Sequence, residues 1–254
     1  MTSRRASWWR RSADVEWSGA NSEVLARHTA VWRLLTHDER ERLVEGTRTL
    51  VDRFRWESSR GFTLDDGMRI VIAGQAALLV LELGIECYDQ VTSVIVHPST
   101  ITFDTVRAGP GPGLVTSGPE FLDGEAHHRG PVVLSWDAVR DDVRHPAWGT
   151  NVVLHEFAHR LDMLDNLSDG TPPLGDADRL ARWVEVCTRE FDAVRSGGPD
   201  PVLRPYAGEN VAEFFAVATE VFFCRPLELR TSKPALYGVL ADFYRQDYAA
   251  RLDR

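Results

Sequence analysis

Apolar residues recur at helical spacing along most of this chain and at strand-like spacing only in its middle. A first helix is predicted over about 22–35. Thr36-His37-Asp38-Glu39 reads as a capping box and opens a second helix, whose apolar face carries Leu43, Leu50, Val51 and Phe54. Asp65-Asp66 starts a third, apolar nearly all round from Ile70 to Leu83, which predicts a central core helix. Val91-Thr92-Ser93-Val94-Ile95-Val96 is a strand candidate stopped by Pro98, and Leu114-Val115 and Pro131-Val132-Val133-Leu134-Ser135 are two more. A Gly/Pro cluster at 109–113 marks a loop, and the polar stretch before Pro131 reads as flexible. A short helix follows from Trp136 to about His145-Pro146, then helices over about 149–164, 176–195, 209–224 and 234–249. The predicted class is α+β, mainly helical with a small mixed β-sheet. Residues 1–20 read as a flexible tail and 21–254 as one domain, with a helical part over about 21–88 and the chemistry in 89–254.

Composition narrows the partners. The 254 residues include 43 % hydrophobic and 26 % charged, an ordinary globular balance, and the net charge of −9 speaks against direct nucleic-acid binding. Arg4, Arg5, Arg10 and Arg11 sit in the predicted tail rather than on a helix face. No run approaches the roughly 18 apolar residues that span a membrane, and the N-terminus has no apolar signal-peptide core. Cys87, Cys187 and Cys224 are odd in number and far apart, so reduced thiols in a cytoplasmic protein are expected.

The chemistry concentrates in Val152-Val153-Leu154-His155-Glu156-Phe157-Ala158-His159. Four residues make slightly more than one helical turn, so His155 and His159 leave the same face and can reach one Zn²⁺. Glu156 stands where it can hold a metal-bound water and take its proton. The apolar neighbours predict a buried helix, in which histidines and a glutamate need strong partners.

A catalytic zinc takes three protein ligands and keeps a position open. Asp165 is one candidate, six residues after His159, but Asp162 stands where a sharp turn would need Gly. Glu213 is favoured, a carboxylate among Val211, Phe214, Phe215 and Val217. Glu220, seven residues on, shares its face, so one of the pair could bind the metal and the other a ligand histidine. An exposed helix edge, or a buried ion pair with an arginine, stays open for both. Asp162 is a candidate to fix a ligand imidazole's tautomer, or else a solvated helix-end acid. A surface role is expected for His127-His128.

His155-Glu156-Phe157-Ala158-His159-Arg160-Leu161-Asp162-Met163, with Ala212-Glu213-Phe214-Phe215-Ala216-Val217 downstream, resembles the Mlc titration factor A family. Gly74-Gln75-Ala76-Ala77-Leu78-Leu79 and Gly130-Pro131-Val132-Val133-Leu134-Ser135-Trp136 extend the likeness over about 25–250, while residues 1–20 show no pattern of the family. The resemblance implies a zincin-like, gluzincin-type fold and a glucose-regulated, aminopeptidase-like zinc peptidase. It implies His155, His159 and Glu213 as ligands of one Zn²⁺ and Glu156 as base. Tyr206, seven residues ahead of Glu213, resembles an oxyanion-stabilising tyrosine of lethal-factor-type peptidases, and is otherwise a packed residue of a Pro-Tyr turn. It also implies binding to an Mlc-like transcriptional repressor.

The expected activity is hydrolysis of a peptide or protein substrate, with the strand at Val132-Val133-Leu134 available to pair with it. The rival is a non-catalytic zinc-containing protein that sequesters a transcription regulator. Glu156 separates the two, because a structural site has no use for a base beside its ligand. An unrelated zinc hydrolase acting on non-peptide amides has the same ligands.

Overall fold

The computed structural model describes residues 17–59, 61–99, 102–108, 115–121 and 130–252, the segments 102–108 and 115–121 as backbone only. Ten α-helices are found among the described residues. The first, α1 (Gly19–His28), starts inside the stretch read as a tail and stops where Thr29 turns extended, so the helix predicted to 35 is broken and only a 3-10 turn at Trp32–Leu34 follows. The capping box is formed as predicted: Thr36 Oγ1 accepts from Glu39 N, and Glu39 reaches back to Thr36 N over 2.6 Å, opening α2 (His37–Arg53). Asp65 caps α3 (Asp66–Leu79), whose residues from Ile70 to Leu79 are all buried. It ends four residues short of Leu83, in a turn closed by Gly84 at φ 102.

The main sheet is entirely parallel, which corrects the expected mixed sheet. Its order is β1-β2-β5, from β1 (Arg55–Ser58), β2 (Ser93–His97) and β5 (Val132–Ser135). Parallel neighbours need a crossover, and α3 lies in the connection from β1 to β2. The antiparallel element is a separate two-stranded sheet of β3 (Thr102–Ala108), which was not predicted, and β4 (Val115–Phe121), which starts at the predicted Leu114-Val115 and runs on to Phe121. The Gly/Pro loop at 109–113, His127-His128 and the N-terminal arginines lie outside the described residues.

The helices that follow are α4 (Trp136–Arg144), α5 (Val152–Asp162), α6 (Ala177–Arg195) and α7 (Val211–Cys224), close to expectation. An unpredicted short helix α8 (Pro226–Ser232) precedes α9 (Pro234–Tyr244), each starting on a proline; the helix predicted over 234–249 starts with α9 but stops at Arg245 in the left-handed region, and α10 (Ala249–Leu252) closes the described chain. One apolar core runs from Leu25 on α1 to Ala249 on α10. Its aromatic centre packs Trp183, Phe215 and Phe243 edge to face. The cysteines are unpaired, as expected. No helix among the described residues is long and apolar enough to cross a membrane.

Candidate metal centre

Two capped helices set the geometry. Asn151 Oδ1 accepts from Leu154 N at 3.1 Å, which fixes the start of α5 and places His155 and His159 one turn apart. Asn210 does the same for α7, accepting from Glu213 N at 3.0 Å. Glu213 therefore sits in the first turn, where the helix dipole favours its charge. Packed together, α5 and α7 bring His155 Nε2 to 2.9 Å from Glu213 Oε2 and 3.2 Å from His159 Nε2, with His159 Nε2 3.5 Å from Glu213 Oε1.

Three donors gather here, all within 4.8 Å of one another. A tetrahedral ion with ligands at about 2.0–2.1 Å keeps its donors about 3.3 Å apart, close to those spacings. The hydrogen-bond pattern agrees. His155 Nδ1 lies 2.7 Å from Glu220 Oε1, and with that carboxylate ionised Nδ1 carries the proton. With Nε2 bare, that ring would turn a lone pair toward His159 Nε2 and a glutamate oxygen, so either a second proton on His155 or a cation has to stand between them. Glu213 Oε2 is buried, and the polar atom facing it is His155 Nε2. Burial opposes charging of His155, but contacts with Glu213 and Glu220 outweigh it and raise its pKa to about 10. Burial likewise works against the Glu213 carboxylate, and the two histidines overcome it and hold its pKa well below the usual range. The residues present thus fit a bound metal ion.

Behind His155 lies a buried relay. Glu220, 1 % exposed, accepts from His155, from Arg204 Nη2 at 2.7 Å and, on Oε2, from Asn151 N at 2.7 Å. Both sequence readings of Glu220 hold at once: it bonds a candidate ligand histidine and pairs with an arginine. Burial opposes its charge, and His155 and Arg204 hold its pKa low nonetheless. Asn151 Nδ2 donates to Gln75 Oε1 at 3.0 Å, and Gln75 Nε2 donates to His28 O at 2.7 Å. Arg204, Asn151 and Gln75 were not singled out as site residues from sequence. The signal for Arg204 was the need of a buried Glu220 for a cation; the amides gave none beyond being polar in apolar surroundings.

The remaining candidates separate. Glu156 is buried, at 3 %, beside His155. Tyr206 is 37 % exposed in the 3-10 turn Pro205–Gly208, with its ring 6.1 Å from that of His155 and Arg204 over it at 5.7 Å. Asp165 is exposed and accepts from Leu167 N, apart from the donor group. Asp162 is no solvated helix-end acid: it is fully buried, and its Oδ2 accepts from Gly170 N at 3.1 Å. Burial raises its pKa to about 6, against the bond from Gly170. Gly170 sits at φ 71, and a Cβ there would lie 2.3 Å from Val211 O, so only glycine lets this loop pass under the start of α7.

Two histidines a turn apart with a glutamate beside the first are the pattern of the metallopeptidases. The chain belongs to the family described as glucose-regulated metallo-peptidase M90, whose family model matches residues 4–245. That match begins inside the N-terminal stretch where the sequence showed none of the family's pattern, so the likeness reaches further than expected. Among its relatives is Mlc titration factor A of Serratia proteamaculans, 33 % identical over 257 residues that cover 94 % of this chain and 96 % of that protein. Mlc titration factor A of Yersinia enterocolitica is 31 % identical over 255 residues, 94 % of each chain. An uncharacterised protein of Synechocystis is 31 % identical over 225 residues, 87 % of this chain and 82 % of its own.

Proposed function

We propose that this chain is a zinc-dependent, aminopeptidase-like peptidase of gluzincin type whose ion is held by His155, His159 and Glu213 and whose general base is Glu156. The observation that carries the reading is the convergence of two imidazole nitrogens and a carboxylate oxygen within 4.8 Å of one another, in a chain of a metallopeptidase family. Zn²⁺ suits two imidazoles and one carboxylate, with a fourth position left for water. Once bound, the ion supplies Lewis acidity, which acidifies that water and polarises the scissile carbonyl. Glu156 takes the proton and delivers it to the leaving amine. Glu220, braced by Arg204 and Asn151 N, keeps His155 in the Nδ1–H tautomer and in place. Tyr206 donates its hydroxyl to the developing oxyanion.

β5 is an edge strand of the parallel sheet, and an extended peptide is proposed to add to it. N-methylation of a substrate amide near the scissile bond then raises KM, and an unchanged KM for every methylated position would remove this step. The relatives named Mlc titration factor A support a further role, binding an Mlc-like repressor. The unpaired thiols suit the cytoplasm. The test is to load metal-free wild type, His159→Ala and Glu213→Gln with zinc and to follow cleavage of aminoacyl and peptide substrates. Stoichiometric zinc and cleavage in the wild type alone are expected. Full zinc in both variants would refute the ligand set.

A further inference from the structure

Where the relay from Asn151 through Gln75 ends on His28 O, α1, the 3-10 turn after it and the end of α4 line an open cleft of about 530 Å³. Arg27, His28, Arg33 and Arg144 line it, together with the indole of Trp32. In a chain of net charge −9, three guanidiniums around one cleft are conspicuous. Several surface arginines elsewhere are paired, among them Arg42 with Glu82, Arg53 with Asp89 and Arg182 with Asp242. The side chains of Arg27, Arg33 and Arg144 have no acidic partner among the described residues. The nearby carboxylates on α4 are already engaged, Asp141 with Arg140 and Asp142 with Thr150 Oγ1 and Val152 N.

Further observations point to the same place. His28 Nδ1 and Thr29 Oγ1 belong to lining residues, are buried, and have no hydrogen-bond partner among the described residues. Burial lowers the His28 pKa, and the uncompensated charges of Arg27 and Arg144 lower it further. Arg40 adds a further positive charge next to the lining residue Trp32, its guanidinium 5.6 Å over that ring.

We infer that this cleft is a binding site for an organic phosphate monoester, the phosphoryl group held by Arg27, Arg33 and Arg144 and the organic body lying against Trp32. Several guanidiniums lining one cleft favour a ligand with more than a single negative charge, and their planar forks match phosphate oxygens in pairs. The volume lies within the range of small-molecule sites, which leaves room for a body beyond the phosphoryl group. A phosphorylated lipid headgroup offers the same chemistry from a membrane surface, and the test separates the two sources.

Titration calorimetry of the zinc-loaded protein with phenyl phosphate is expected to give saturable binding, with inorganic phosphate weaker. The double variant Arg33→Gln/Arg144→Gln changes two exposed side chains and should keep the wild-type melting temperature while weakening phenyl phosphate at least about tenfold. Arg182→Gln, on α6, should bind as the wild type does. Binding that survives Arg33→Gln/Arg144→Gln but vanishes in His159→Ala would put the ester on the metal and overturn the proposal. Capture by phosphatidate-containing vesicles without binding of the soluble ester would also overturn it, as would no binding of phenyl phosphate at all. None of these outcomes depends on peptidase activity, so the cleft and the proposed catalysis stand or fall separately.

Discussion

The helices α3 and α5 each bury ten consecutive residues, and the two sets could hardly differ more in chemistry. In α3 the single polar side chain among them is Gln75, a neutral amide whose two ends are bonded to Asn151 and to a backbone carbonyl. In α5 half are ionisable: His155, Glu156, His159, Arg160 and Asp162. A core helix with one satisfied amide is scaffold, and its sequence follows from packing alone. A core helix with five ionisable groups needs partners for them: Glu220 meets His155, Pro131 O meets Arg160 and Gly170 N meets Asp162, while the facing Nε2 atoms of His155 and His159 are where a cation would fit. Burial is the same in both helices; the charge that must be answered marks the site.

Breaking that contrast gives the largest expected effect. Glu220→Ala strips His155, Arg204 and Asn151 N of their shared acceptor, and urea denaturation should show a loss of about 3–5 kcal/mol. Gln75→Leu, the matching change in α3, should cost about 1–3 kcal/mol, the toll of two unmet amide partners. Equal losses would mean that charge in the core carries no special weight here. Next comes Gly170→Ala, whose methyl would press on Val211 O from a left-handed backbone; about 1–3 kcal/mol is expected, with weaker zinc binding because α7 carries Glu213. Glu220→Gln keeps the shape and removes the charge, so competition with a chelator should show zinc affinity down by about 10–100-fold.

The smallest effect serves as a reference away from both helices. Arg251 holds the Glu39 carboxyl down from 4.5 to about 2, despite some burial. A carboxyl depressed in the folded state stabilises above its ordinary pKa, and the contribution fades as pH falls from 4.5 through about 2. Glu39→Gln should therefore melt below the wild type at neutral pH and together with it near pH 2. A gap that persists at low pH would assign the difference to packing rather than charge.

Local signals were legible in the sequence and long-range ones were not. The capping box at Thr36 and Glu39, the Asp65 cap and the helix that carries His155 and His159 all depend on neighbours within one turn, and all three are found where they were expected. Strand β1, Arg-Trp-Glu-Ser, has no apolar alternation, and it is a strand because β2 pairs with it from 38 residues away, Arg55 against Ser93. The start of α9 was read, but the short helix α8 was missed because only a proline announces it. At the site, Glu213 and Glu220 could be found because a carboxylate among phenylalanines is conspicuous. Gln75 and Asn151 were not, since amides reveal a role only when the fold shows what they touch.

The central claim is that Glu156 works as a base beside a zinc held by His155, His159 and Glu213. The most direct test measures bound zinc and cleavage of an aminoacyl and peptide panel in the wild type and Glu156→Gln. Full zinc in both with cleavage by the wild type alone is the predicted result. Cleavage by Glu156→Gln at the wild-type rate would contradict the account, and full zinc with no cleavage by either protein would favour a binding role.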